Sequence, residues 1–118
     1  MFELGQLSVY LSTKPCDMRK GIQGLSAEVA SVLELNPLSG HLFVFYNRAR
    51  NKVKCLYYER NGFALWYKVL ARGQFTIPQS APSAQTVELE ARELQWLLAG
   101  LDITKLCPLP ALHYEAVC

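Results

Sequence analysis

The residues of this chain best suited to chemistry are cations. Arg48, Arg50, Lys52 and Lys54 follow one another at intervals of two, with Arg60, Lys68 and Arg72 further along and Glu59 the sole carboxylate among them, so residues 41–76 carry a net charge of +6. The flanks are acidic, −1 over residues 1–40 and −3 over residues 77–118, and the whole chain sums to +2. A basic centre between acidic ends points to a polyanionic partner. The same centre holds 9 of the 13 aromatic residues, Phe43, Phe45, Tyr46, Tyr57, Tyr58, Phe63, Trp66, Tyr67 and Phe75. Cations interleaved with aromatic rings suit phosphate contact and base stacking. The same composition also describes a sheet with aromatic residues in its strands and cations on its wet face. Arg19 and Lys20, beside Asp17, either extend the basic surface or pair internally with carboxylates.

Other chemistries find little support in the residue pattern. Cys16, Cys55, Cys107 and Cys118 are 39, 52 and 11 residues apart, and His41 and His113 supply no second half of a ligand set, so no metal site and no cofactor is expected. Cys55, in an apolar run, reads as a small core residue, and Cys118 as an exposed terminal thiol. Gly21 and Gly24 lack the lysine-serine or strand-turn-helix setting of a phosphate loop. His41, after Gly40, reads as a turn-capping or half-buried histidine, and Asp17 as a helix N-cap. No active site is expected.

These residues need a scaffold, and 118 residues, 51% of them apolar, suffice for one domain with its own core. No segment resembles a membrane span, and Met1-Phe2-Glu3-Leu4 opens no basic-then-apolar leader, so a cytoplasmic protein is expected. Ser8–Ser12 reads as a short strand closed by Lys14-Pro15. From Met18, capped by Asp17, the apolar positions Met18, Ile22, Leu25, Val29, Val32 and Leu33 predict a helix that Asn36-Pro37 ends. Gly21 and Gly24 inside it mean either a loose first turn or a close backbone approach. Residues 41–47, 52–59 and 63–70 predict an antiparallel meander, its second turn signalled by Asn61-Gly62. In the middle strand Lys52, Lys54, Leu56 and Tyr58 share one face and Val53, Cys55, Tyr57 and Glu59 the other, and neither is purely polar, so helices or a partner should cover much of the sheet. Pro78–Ser83 reads as a mobile loop. A last helix from about Glu90 to Ala99, with Leu94, Leu97, Leu98 and Leu101 inward and Gly100 as its stop, precedes a proline-bearing tail. The fold class expected is α+β: one small domain over 1–118, core about 8–102 and tail 103–118, with a three-stranded meander, a short N-terminal strand and two packing helices. Gly40–Tyr46 faintly resembles the aromatic strand of RNA-recognition domains, though the element order departs from that fold.

Taken together, Asp17-Met18-Arg19-Lys20-Gly21, Gly40-His41-Leu42-Phe43-Val44-Phe45, Lys52–Tyr58, Asn61–Lys68, then Gly73, Phe75, Pro78 and Leu98–Asp102 resemble one family from about residue 8 to 102. It is that of the small accessory protein, often called TnpB, of bacterial insertion sequences of the sixty-six family, which is not the RNA-guided nuclease sharing that label. The resemblance implies a protein encoded beside a separate transposase, supporting DNA transposition and without known catalytic activity. Two places depart from the family pattern: Val69 and Ala71 stand where a basic and an acidic residue are usual, and Ile77 where Trp is usual.

Two readings follow. In the first, Arg48, Arg50, Lys52 and Lys54, joined by Arg19, Lys20 and Lys68, contact DNA phosphates at the ends of the mobile element, and the transposase is a further partner. In the second, the protein is an interaction module of the transposition machinery with no DNA contact, and the cations serve solubility. The sequence leaves the oligomeric state open, a homodimer included.

Overall fold

In the computed structural model, which describes residues 8–78 and 83–100, the meander expected at the centre is present. Strands β2 (Leu42–Tyr46), β3 (Lys52–Glu59) and β4 (Gly62–Val69) pair antiparallel in sequence order. Strand β1 (Val9–Ser12) lies parallel to β2, with Val9 beside Leu42 and Leu11 beside Val44. A parallel neighbour requires a crossover, and helix α1 (Ile22–Ser31) lies in it. The sheet has one strand more than expected. Strand β5 (Thr86–Leu89) pairs antiparallel with β1, giving the mixed order β4-β3-β2-β1-β5, and helix α2 (Ala91–Leu98) follows it. Four residues alternating Thr-Val-Glu-Leu are too short a pattern to stand out in sequence, and the pairing with β1 makes them a strand.

Helices cover both faces, as the mixed character of β3 requires. Leu25, Val29 and Leu33 pack with Phe43, Phe45 and Leu56 on one face. Leu94, Leu97 and Leu98 of α2 pack on the other with Val9, Leu11, Val44, Val53 and Cys55. Every residue of β2 is buried, so Phe43 and Phe45 are core residues and the likeness to an exposed RNA-binding strand ends there.

Helix α1 is shorter at both ends than the apolar spacing implies. Its N-cap is Gly21, without a side-chain hydrogen bond, and Asp17 lies outside it. The Asp17 carboxylate instead accepts the Arg19 backbone amide at 2.9 Å. Two glycines weaken the first turn, and Lys54 draws the Met18 and Lys20 carbonyls away from helical partners. Ile22 and Val32 are more than a third exposed, so the buried stripe is confined to Leu25, Val29 and Leu33. At the other end Glu34 adopts φ 57° and the Leu35 amide donates to Val29 O, ending the helix before Asn36-Pro37 is reached. Helix α2 follows its sequence: Glu90 and Glu93 form a reciprocal capping box, and Gly100 at φ 83° closes it.

The β3–β4 turn also departs from expectation. Glu59 pairs with Gly62, so Arg60-Asn61 forms the two-residue loop, the positive φ falls on Arg60, and Gly62 opens β4. His41 Nδ1 accepts the Ser8 amide at 3.3 Å and its ring meets Tyr10 edge-on, so of the two alternatives the half-buried histidine is present, with its ring bonded at the approach to β1 and not in its own turn. The tail 103–118 with Cys107, His113 and Cys118, the inward Leu101, and residues 79–82 of the expected loop lie outside the described residues.

Candidate nucleic-acid interface

The β2–β3 hairpin sequence, Asn-Arg-Ala-Arg-Asn, folds by hydrogen bonding to itself. Asn47 Oδ1 accepts the amides of Asn51 and Lys52, both at 3.0 Å, while its Nδ2 donates to Asn51 Oδ1 at 2.7 Å. The Arg50 amide donates to Asn47 O, and Arg50 takes φ 61°, a conformation that costs a long side chain about 1 kcal/mol and more often falls to Gly or Asn. The segment after β4 holds the tip from outside: Phe75 N donates to Arg50 O at 2.6 Å, Gln74 Nε2 to Ala49 O at 3.0 Å, and Leu70 N to Asn51 O at 2.9 Å. The hairpin backbone is therefore fixed while the side chains of Arg48 and Arg50 remain exposed. Neither they nor Lys52 has a carboxylate within ion-pair distance among the described residues.

Across from this hairpin runs the Asp17–Gly21 loop. It is tied down by the Cys16 amide, which donates to Tyr46 O at 2.8 Å, and by Lys54, whose Nζ donates to Met18 O at 2.7 Å and to Lys20 O at 2.9 Å. The Lys54 ammonium also lies 4.9 Å from the centroid of the Tyr67 ring. Loop, hairpin and β4 together enclose an open groove of about 580 Å³ lined by Cys16, Asp17, Met18, Arg19, Asn47, Arg48, Ala49, Lys52 and Tyr67. Three cations and one anion line it. Arg19 binds the Asp17 carboxylate through Nε and Nη2, the latter at 2.7 Å, and this side-chain hydrogen bond is the main cause that holds Asp17 down at about 2. Burial, then the nearby Glu28, pushes the Cys16 thiol up.

The seven cations singled out in the sequence thus have different places. Arg48, Lys52 and Arg19 line the groove, and Arg50 is exposed at the hairpin tip beside it. Lys54 is 8% exposed beneath the Asp17–Gly21 loop with its ammonium spent on two carbonyls, a place that does not suit the phosphate contact expected of it. Of the two alternatives for Arg19 and Lys20, internal pairing is present for both: Arg19 binds Asp17 at 2.7 Å while its own side chain stays 91% exposed to the groove, and Lys20 Nζ lies 2.6 Å from Glu28 Oε1, which raises the lysine. Lys68 lies on the opposite face of the sheet, donating to Leu98 O at the C-terminal end of α2 at 2.7 Å. Tyr67, one of the nine central aromatics, was not singled out from the others by the sequence. It stands directly across from Lys54 on β4 and is 47% exposed, a placement that needed the β3–β4 register.

The chain has relatives. The IS66 Orf2 like protein family matches residues 7–108. The chain belongs to that family. Two curated relatives come from Sinorhizobium fredii (strain NBRC 101917 / NGR234). The uncharacterized protein y4hO is 37% identical over 103 residues, covering 86% of this chain and 88% of its own. The uncharacterized protein y4jC is 34% identical over 99 residues, covering 84% and 83%. No solved structure matches. Membership places the IS66 Orf2-like chain among insertion-sequence accessory proteins. The three positions expected to depart from the family pattern fall in two environments. Val69 is half-exposed across from Lys52 and Ala71 is exposed just beyond, whereas Ile77 is 8% exposed within the α2-side core, where it fills space. Among the described residues no three His, Cys, Asp or Glu side chains cluster as a metal site, and no helix is long and apolar enough to cross a membrane.

Proposed function

We propose that this IS66 Orf2-like protein is a non-catalytic accessory module of transposition that holds DNA through phosphate contacts from Arg48, Arg50, Lys52 and Arg19. The observation that carries the reading is the hairpin: a backbone fixed by its own asparagines presents three cations with no carboxylate partner among the described residues, beside an open groove. Cations on a rigid tip position a protein on a backbone without reading bases. The transposase encoded alongside is the protein partner this reading implies.

The test is fluorescence anisotropy of the protein against labelled element-end DNA and unrelated DNA across a salt series. Removing two phosphate contacts with Arg48→Ala/Arg50→Ala should weaken binding to both and lower the slope of log affinity against log salt by about 1.8. Equal affinity and equal slope in the double variant refute the reading. In that case retention of transposase by the same variant in a pull-down establishes the interaction-module alternative.

A further inference from the structure

Helix α1 covers only part of its sheet face. Leu25, Val29 and Leu33 pack around Leu56, with Phe63 and Leu65 at the β4 margin of the cluster. Two residues further along β4 the same face continues as Tyr67 and Val69, which are 47% and 50% exposed. Across from them on β3 stand Lys54 and Lys52, paired with Tyr67 and Val69 in register. The uncovered end of this face is therefore an aromatic and an aliphatic side chain in one row and two cations in the next, opening into the groove that Arg19 and Arg48 also line.

From this juxtaposition we infer that the groove binds single-stranded DNA, with a base stacked on Tyr67 and the backbone carried along Lys52, Arg48 and Arg19. The inference rests on the phosphate-contact reading above and adds which form of DNA is held. In a duplex the base faces are covered by their neighbours and only edges and phosphates are offered, so an exposed ring meets a base face only where the strand is unpaired. The ring is prepared for this. Lys54 Nζ lies over one face of the ring, 4.9 Å from its centroid, and is itself held by the Met18 and Lys20 carbonyls, so the ring is braced on that side and a base has the other, exposed side to stack on. A cleft of about 580 Å³ is of the size that takes a small molecule or a nucleotide, and the excess of positive charge along it fits a phosphodiester chain.

The test uses the full chain with labelled thymidine homopolymer of about 20 nucleotides, a duplex of the same length and a uridine homopolymer, in anisotropy titrations at several salt concentrations. The wild type should hold the DNA single strand more tightly than the duplex or the RNA. Tyr67→Ala should lower single-strand affinity by about 5- to 150-fold, the usual effect of removing one stacking ring, with the salt slope unchanged because no charge is lost. Tyr67→Phe should bind as the wild type does. Tyr67→Leu keeps apolar bulk without a π face and should lose affinity as the alanine variant does, which preserves the test if Tyr67→Ala fails to fold. Wild-type affinity in both Tyr67→Ala and Tyr67→Leu, or tighter binding to duplex or RNA, overturns the inference and leaves the phosphate contacts standing. A Tyr67 effect with an unchanged salt slope in Arg48→Ala/Arg50→Ala overturns the phosphate reading instead, and no binding to any of the three at low salt overturns both.

Discussion

Replacing Lys54 by Met separates a structural cation from a binding one. The ammonium donates to Met18 O at 2.7 Å and Lys20 O at 2.9 Å and lies over Tyr67, while the stem is buried in the sheet face. Hydrogen bonds from a charged donor contribute about 1.5–3 kcal/mol each, and an ordered cation–π contact about 0.5–1 kcal/mol. Those contributions already include the cost of withdrawing the ammonium from water, so only rehydration of the freed carbonyls offsets them in the Met variant. Methionine keeps the apolar stem and leaves two loop carbonyls that the open groove can hydrate. The net loss works out at about 2 kcal/mol, a sizeable share of the 5–15 kcal/mol typical of a domain. Urea unfolding should show a lower midpoint with an unchanged slope, and the thermal midpoint should fall by roughly 6–12 °C. Because the same bonds hold the Asp17–Gly21 loop, Cys16 should also react faster with a thiol reagent. A Lys54→Met protein with wild-type midpoint and a DNA-binding defect equal to that of Arg48→Ala would refute the argument, and would make Lys54 a phosphate contact after all.

Three further outcomes are expected. In a Cys107→Ser/Cys118→Ser background, Cys16 should modify slowly at neutral pH because burial raises its thiol, and Cys55, wholly buried and raised far more, should react only on unfolding; measured thiol release with and without denaturant decides this. Asp17 sits at about 2 in the folded chain against its ordinary 3.8, so its contribution to stability is present above about pH 4 and is lost as pH falls toward 2. Carbon-detected titration should find that value in the wild type and a return toward 3.8 in Arg19→Ala; an unmoved Asp17 in that variant would show that the Arg19 side chain is not the cause. Gly21 has no side-chain cap and open space where a Cβ would go, so Gly21→Ser should stabilise by about 0.5 kcal/mol in denaturant unfolding, and a destabilised variant would contradict the N-cap assignment.

The elements that local chemistry dictates were readable from the chain, and those that depend on a distant partner were not. Strand β3 runs over Lys52–Glu59 as its alternation and flanking turns imply, and α2 follows from its leucines and Gly100. The start of α1 resisted because a lysine 36 residues from Met18 takes the carbonyl that a longer helix would have used. Strand β5 resisted because Thr86–Leu89 is a strand by virtue of its pairing with β1, more than 70 residues earlier.

The cations show the same division and where it could have been narrowed. Arg48, Arg50, Lys52 and Lys54 are equivalent as letters, and what distinguishes Lys54 is depth: two residues further into β3 than Lys52, it passes under the Asp17–Gly21 loop. That depth depends on how the loop folds back, which spacing does not encode. The fate of Lys68 was encoded. A two-residue turn at Arg60-Asn61, and equally one at Asn61-Gly62, pairs every even position of β4 with an odd position of β3, and residues directly opposite in an antiparallel pair share a face. Either turn puts Lys68 with Val53 and Cys55, away from Lys52 and Lys54, and Tyr67 on the cationic face. The parity that removes Lys68 from the groove is thus the same parity that brings Tyr67 into it, so the one aromatic ring in the candidate site follows from the hairpin turn together with the positions of two lysines.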